Sequence, residues 1–151
     1  MRFRSGAADD VPALYELDLL CFSPPFRFDL AAMHRYVGAS GAIVVVAETD
    51  ETLSGFAILN LARTRGLLSY YVTTLDVHPS RRRHGVAARL LAEAEGLAAR
   101  KGVGTIDLHV FCGNDAAIAF YERRGFTRGR RYRNFYGASL DAWGYAKWIA
   151  L

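Results

Sequence analysis

Leu75-Asp76-Val77-His78-Pro79-Ser80-Arg81-Arg82-Arg83-His84-Gly85-Val86-Ala87 is the stretch on which the fold turns, because the hydrophobic period changes inside it. Before it, Ser69 to Val77 is rich in β-branched and aromatic residues (Tyr70, Tyr71, Val72, Thr73, Thr74), which suits a pleated strand, and Pro79 ends that strand. After it, Val86, Leu90, Ala94, Leu97 and Lys101 recur at steps of three or four, and Gly102 supplies a stop, so Gly85 to Lys101 reads as a helix. A strand that feeds a helix in this way leaves unpaired amide N–H groups at a positive dipole end, a ready anion site. Gly85 and the small Ala87 remove bulk where a phosphate must approach the backbone, and the arginines add charge. A Walker loop would end in Gly-Lys-Ser/Thr, and a dinucleotide loop would need a third glycine where Ala88 stands. The junction therefore favours a diphosphate ligand of another kind.

Outward from this junction the chain reads β-α-α-β-β-β-α-β-α-β-β. Arg2–Arg4 is strand-like, Ala8 to Leu20 is helical with Pro12 in the first turn, and Ser23-Pro24-Pro25 stops it. Asp29 to Val37 is a short amphipathic helix closed by Gly38. Ala42–Glu48 and Gly55–Leu61, joined by Thr49-Asp50-Glu51, read as a β-hairpin. Beyond the central helix, Ile106, Leu108 and Val110 alternate with Asp107, His109 and Phe111, the pattern of a strand. Asn114 or Asp115 caps a helix that runs to Arg124 and ends at Gly125. Phe126–Tyr136 and Ala142–Leu151 read as two last strands around a turn near Gly137. The expected class is α/β (α+β), a single domain over residues 1–151 with a mixed central sheet of about six to seven strands and about four helices.

Composition narrows the function. Of 151 residues 52% are apolar and 23% charged, too apolar for a disordered chain, and the run Ala42–Ala47 is far too short for a bilayer-spanning helix. The start shows no secretory pattern, and Cys21 and Cys112 are neither a disulfide framework nor spaced as metal ligands, so a cytoplasmic protein without metal is expected. The net charge of +4 is unevenly placed: residues 1–77 carry −3 and residues 78–151 carry +7, almost all of it arginine. Arg81-Arg82-Arg83 forms one cluster and Arg123, Arg124, Arg128, Arg130, Arg131 and Arg133 another. Such a half suits a phosphate or polyanion; the plain alternative is a solvated face.

The spacing Arg82-x-x-Gly85-x-Ala87 matches the R/Q-x-x-G-x-G/A signature of the GNAT superfamily of N-acetyltransferases, and Asn114 followed by Tyr121-Glu122-Arg123-Arg124-Gly125-Phe126 resembles that family's second signature. Within the superfamily the chain is most similar to the ribosomal-protein alanine N-acetyltransferases. Arg82-Arg83-His84-Gly85-Val86-Ala87 resembles their doubled-arginine loop, and Cys21-Phe22-Ser23-Pro24-Pro25-Phe26 resembles their C-F-x-x-P-W loop with Phe26 in place of Trp. Arg131-Tyr132-Arg133-Asn134-Phe135-Tyr136, with Asp141-Ala142 beyond, resembles their aromatic loop between the last strands.

The resemblance implies an acetyl-coenzyme A-dependent acyltransferase in which a primary amine attacks the thioester directly. It implies that Leu75, Asp76 and Val77 lie where central strands splay and offer backbone groups to the pantetheine arm and thioester. Arg82, Arg83, His84, Gly85, Val86, Ala87 and Ala88 would hold the pyrophosphate, and Asn114 the pantetheine arm, though Asn114 also suits a plain helix cap. Tyr121 matches the general-acid position; without the motif it would be read as core. At the position of His109 the ribosomal-protein enzymes carry a glutamate base, and a neutral imidazole can do the same work through a water. Asp76 or a tyrosine-held water are alternatives for that role, and Cys112 is read as packing. Phe22, Phe26, Tyr132 and Tyr136 would line the acceptor entrance. The expected acceptor is a protein or peptide N-terminal amine. A small-molecule amine is the alternative, and a basic nucleic-acid-binding module using Tyr132, Phe135 and Tyr136 is an alternative of another class.

Overall fold

The computed structural model describes residues 1–151. Seven strands form one sheet: β1 (Arg2–Ser5), β2 (Ile43–Thr49), β3 (Thr52–Thr64), β4 (Leu67–Val77), β5 (Thr105–Phe111), β6 (Thr127–Tyr132) and β7 (Ala142–Trp148), in the order β1-β2-β3-β4-β5-β7-β6. The helices are α1 (Val11–Cys21), α2 (Leu30–Gly38), α3 (Val86–Arg100) and α4 (Asp115–Arg123), and 3-10 turns precede α1 and follow β4. All neighbours pair antiparallel except β4 and β5, which are parallel because α3 crosses over between them.

Both faces of the sheet are covered, which explains the unbroken apolar run of β2. Its Ile43, Val45 and Ala47 join Leu90, Leu91 and Ala94 of α3 in one core, while Val44 and Val46 join Leu14 and Leu17 of α1 and Met33 of α2 in the other. Each fully buried Leu or Ile there contributes about 1.5–3 kcal/mol relative to exposure. The β2–β3 hairpin turns through Asp50 and Glu51, both at positive φ (52° and 61°), as a two-residue turn between twisted strands requires. Helix starts and stops follow local chemistry: the Asp29 carboxylate accepts the Ala32 N–H at 2.7 Å, and Gly102 leaves α3 at φ 75°.

The feature that positions the site is in β4. Ile58 pairs with Thr74 but Leu59 pairs with Val72, so Thr73 is an extra residue and β4 bends there. Its parallel pairing to β5 is confined to Tyr70↔Ile106 and Tyr71↔Asp107. Beyond Tyr71 the two strands diverge, and the edge of β4 that faces β5 is left without a ladder.

Candidate active site

The opening between β4 and β5 widens into a cavity of about 1310 Å³, running from the α1–α2 loop past the splay to the N-terminus of α3. Leu75, Asp76 and Val77 line it, as do Arg82, Arg83, Gly85, Val86, Ala87 and Ala88. Asn114, Tyr121 and His109 stand on its wall from the β5–α4 side, and Phe22, Phe26 and Tyr136 close its other end. His84 is exposed and lies outside the wall, and Tyr132 stands behind it, packed against the wall residues His109 and Phe135.

The phosphate end fits a diphosphate-bearing cofactor. Gly85 is the N-cap of α3 at φ 76° with no side chain capping the first-turn amides. Arg83, two residues before it, is also at positive φ (66°). A Cβ built on Gly85 would meet nothing within 4 Å, so the need for glycine here comes from its left-handed backbone and from open space where a ligand approaches. Asn114 accepts the Ala117 N–H at 3.1 Å and is therefore a cap of α4. Acetyl-coenzyme A bound here would have Arg82 to Ala88 at its phosphates and the free edge of β4 along its arm.

The reacting end is built from aromatic groups. The hydroxyl of Tyr71 on β4 lies 2.8 Å from Nδ1 of His109 on β5, across the splay. Phe135 stacks on the imidazole at 4.2 Å between centroids, Tyr132 meets it edge-on at 4.5 Å, and Tyr136 donates to the His109 carbonyl at 3.2 Å. Burial pushes the His109 pKa down from its ordinary value, against the pull of Asp107, so the ring is neutral at pH 7. Burial also pushes Tyr71 and Tyr121 well above the usual phenol range and Tyr136 up to about 12, so all three keep their protons. Tyr121 is 9% exposed and packs on Phe120 and Phe126, so it belongs to the core and the cavity wall at once.

Tyr71 is not among the candidates that the sequence suggests, and Phe135 enters there only in the aromatic loop and the nucleic-acid alternative, not beside His109. Tyr71 read as an ordinary strand residue, and only the parallel register Tyr71↔Asp107 brings it beside His109. The alternative of Asp76 as a base does not hold, because its side chain is 1% exposed, receives the Thr74 hydroxyl and faces Asp18 of α1. Part of the second arginine cluster is engaged within the molecule. Arg128 bridges to Glu122 at 3.3 Å and donates to Tyr145 at 3.0 Å, while Arg131 bridges to Asp141 at 2.9 Å, and both lie over the Trp143 ring. Asp141 in turn accepts the Asn134 N–H at 2.9 Å and braces the β6–β7 loop.

No helix is long and apolar enough to cross a membrane. Residues 11–126 match the model of the acetyltransferase (GNAT) family. The chain is 38% identical over 125 residues to the N-alpha-acetyltransferase RimI of Mycobacterium tuberculosis, covering 80% of this chain and 72% of that one. It is 34% identical over 135 residues to an uncharacterised Mycobacterium leprae protein, of whose length it spans only 37%. The crystal structure of the ribosomal-protein-S18-alanine N-acetyltransferase from Escherichia coli superposes with a TM-score of 0.87 at 24% identity, over 99% of this chain and 94% of that one. With the splayed strands, the uncapped α3 N-terminus and the family model spanning both, the chain belongs to the GNAT acetyltransferase family.

Proposed function

We propose that this protein transfers the acetyl group of acetyl-coenzyme A to the N-terminal α-amine of a protein or peptide. The observation that carries the reading is the Tyr71–His109 hydrogen bond at the base of an aromatic cleft, next to the unpaired edge of β4. The cleft is formed by two loops that touch: Phe26 of the α1–α2 loop packs on Tyr136 of the β6–β7 loop at 4.9 Å. A chain end entering between them would keep its backbone extended outward and its amine at the splay. Two of the relatives above are named for N-terminal or ribosomal-protein acetylation, in keeping with such an acceptor.

In this mechanism backbone N–H groups of β4 near Leu75 polarise the thioester carbonyl, fixed in place before the reaction begins. The Tyr71 oxygen takes a proton from the incoming ammonium while its own hydrogen passes to His109 Nδ1, leaving a free amine to attack. As the carbon–sulfur bond breaks, the Tyr121 hydroxyl would protonate the departing sulfur, and the proton that the nitrogen loses on becoming an amide would pass to solvent, from which the phenol is restored. Positioning of two substrates in one cleft supplies much of the remaining rate.

Thiol release measured over a panel of N-terminal peptides and small amines, with mass spectrometry of the peptides, tests the assignment. Peptides should gain one acetyl group on the α-amine. Turnover confined to polyamines, free amino acids or lysine side chains would overturn the acceptor class, and absence of acetyl-coenzyme A binding by calorimetry would overturn the reaction.

A further inference from the structure

Asp18 sits on the core-facing stripe of α1, at the helical spacing shared by Leu14, Leu17 and Cys21, and its side chain is fully buried. Asp76 is 1% exposed on β4 directly opposite. One oxygen of each has a partner: Asp18 Oδ2 accepts the Phe28 N–H at 2.9 Å, and Asp76 Oδ1 receives the Thr74 hydroxyl. The other two, Asp18 Oδ1 and Asp76 Oδ2, are buried and find no donor. Two carboxylates can only accept, so if both were ionised these oxygens would face each other as unpaired anions without solvent. One proton between them removes both problems.

We propose that Asp18 and Asp76 share a single proton, and that this proton fastens the loop between α1 and α2 to the splayed strand β4. The loop is held at Phe28 by the same Asp18 side chain and carries Phe22 and Phe26 to the cleft. The pair is thus a positioning device for the acceptor side of the cleft, and that part rests on the function proposed above. The proton itself does not.

Other groups around the pair do not substitute for it. The Cys21 thiol points instead to the Val77 carbonyl at 3.3 Å, and its pKa is pushed up to about 11 by burial and by the charge of Asp76. Arg82 approaches from the loop after β4 and draws the Asp76 pKa down, but it is solvent-exposed and screened. Tyr121 of α4 is near enough for the Asp76 charge to raise its pKa and remains a neutral phenol. Burial and the Asp18 carboxyl dominate, and Asp76 lies well above the ordinary carboxylate range. The two protons of such a pair leave in steps that belong to both residues.

The sign of the linkage is set by that rise. The stabilisation is complete below the unfolded aspartate range near pH 4 and declines as pH rises toward the elevated folded-state value, by up to about tenfold per pH unit in the unfolding constant. In Asp18→Asn the amide donates to Asp76 permanently while its oxygen still accepts from Phe28, so no proton need be shared.

The experiment follows the side-chain carboxyl carbons of Asp18 and Asp76 by NMR across pH in the wild-type protein, with unfolding curves for wild type, Asp18→Asn and Asp76→Asn. The expected result is one carboxyl equivalent still protonated at neutral pH, and a decline in wild-type stability with rising pH that is absent from Asp18→Asn. Ordinary carboxylate midpoints for both carbons would overturn the shared proton, and so would a decline of equal slope in Asp18→Asn. Acceptor KM supplies the functional arm. It should rise with pH relative to Asp18→Asn while acetyl-coenzyme A affinity stays matched; parallel KM profiles would overturn the positioning role and leave the acetyl-transfer assignment intact.

Discussion

The Tyr71 hydroxyl and the His109 imidazole, 38 residues apart in sequence, meet at 2.8 Å across the one parallel pairing in the sheet. Their contact is possible because β4 and β5 are still close at Tyr71 and have diverged two residues later. A polar pair at the apex of an opening is sheltered on one side and accessible on the other, which suits a group that must take a proton and pass it on.

Replacing either partner should act on the chemical step. Tyr71→Phe and His109→Gln are each expected to lower kcat by about 10²-fold or more with acetyl-coenzyme A affinity retained. Because burial lowers the His109 pKa, the acidic limb of the wild-type kcat/KM profile should lie below the usual histidine midpoint near 6.5 and should flatten in His109→Gln. An unchanged pH–rate profile in that variant would remove His109 from the mechanism.

Tyr121 is packed in the core and is proposed above as the general acid, and its variants separate the two roles. Tyr121→Phe keeps the contacts to Phe120 and Phe126 and should leave thermal stability nearly unchanged while turnover falls about 10²-fold. Tyr121→Ala should in addition destabilise the fold by about 3–5 kcal/mol, as emptying an aromatic core position does. Wild-type turnover in Tyr121→Phe would assign the residue to packing alone.

At the phosphate end, Gly85→Ala tests conformation without a steric clash, since open space surrounds the position. The left-handed φ of 76° should cost about 1–2 kcal/mol when a side chain is added. Calorimetry should show weaker acetyl-coenzyme A binding in Gly85→Ala and none in Gly85→Glu, which adds a negative charge beside the phosphates.

Gly144 offers a probe of the acceptor side remote from the cofactor. It pairs with His109 in the sheet, and a Cβ there would lie 3.0 Å from the Tyr132 ring. Gly144→Ala should push Tyr132 off the imidazole and raise acceptor KM several-fold, with acetyl-coenzyme A affinity unaffected. Equal losses for both substrates would indicate a general disturbance of the sheet.

The nucleic-acid alternative is separated by salt. Binding through the free arginines should weaken by orders of magnitude as salt rises several-fold, whereas cofactor binding should change far less. Tight oligonucleotide binding at low salt that falls steeply as salt rises would support the nucleic-acid alternative, and its absence at low salt would remove it.

Much of the molecule was legible along the chain because its causes are local. The element order follows from hydrophobic period and from stops at Ser23-Pro24-Pro25, Pro79, Gly102 and Gly125, with observed ends differing by a few residues as fraying and capping dictate. The uncapped start of α3 behind Arg82-Arg83, proposed as the anion site, was legible too, since it is a property of consecutive residues. His109 could be assigned to a strand face by alternation, but its partner could not.

What the amino-acid order determined by itself was the set of elements, the strand-to-helix junction with its glycine and arginines, and the family signature, all of which depend on neighbours within a few residues. The tertiary structure alone decided the rest. The bulge at Thr73 opens β4 from β5, the parallel register brings Tyr71 to His109, Phe26 meets Tyr136 across two loops, and Asp18 on a helix faces Asp76 on a strand. Each of these depends on strand register and on which face a helix covers. Those choices are set by burial of the whole core, and a one-residue shift in strand register would turn Tyr71, Asp76 or His109 to the opposite face of the sheet.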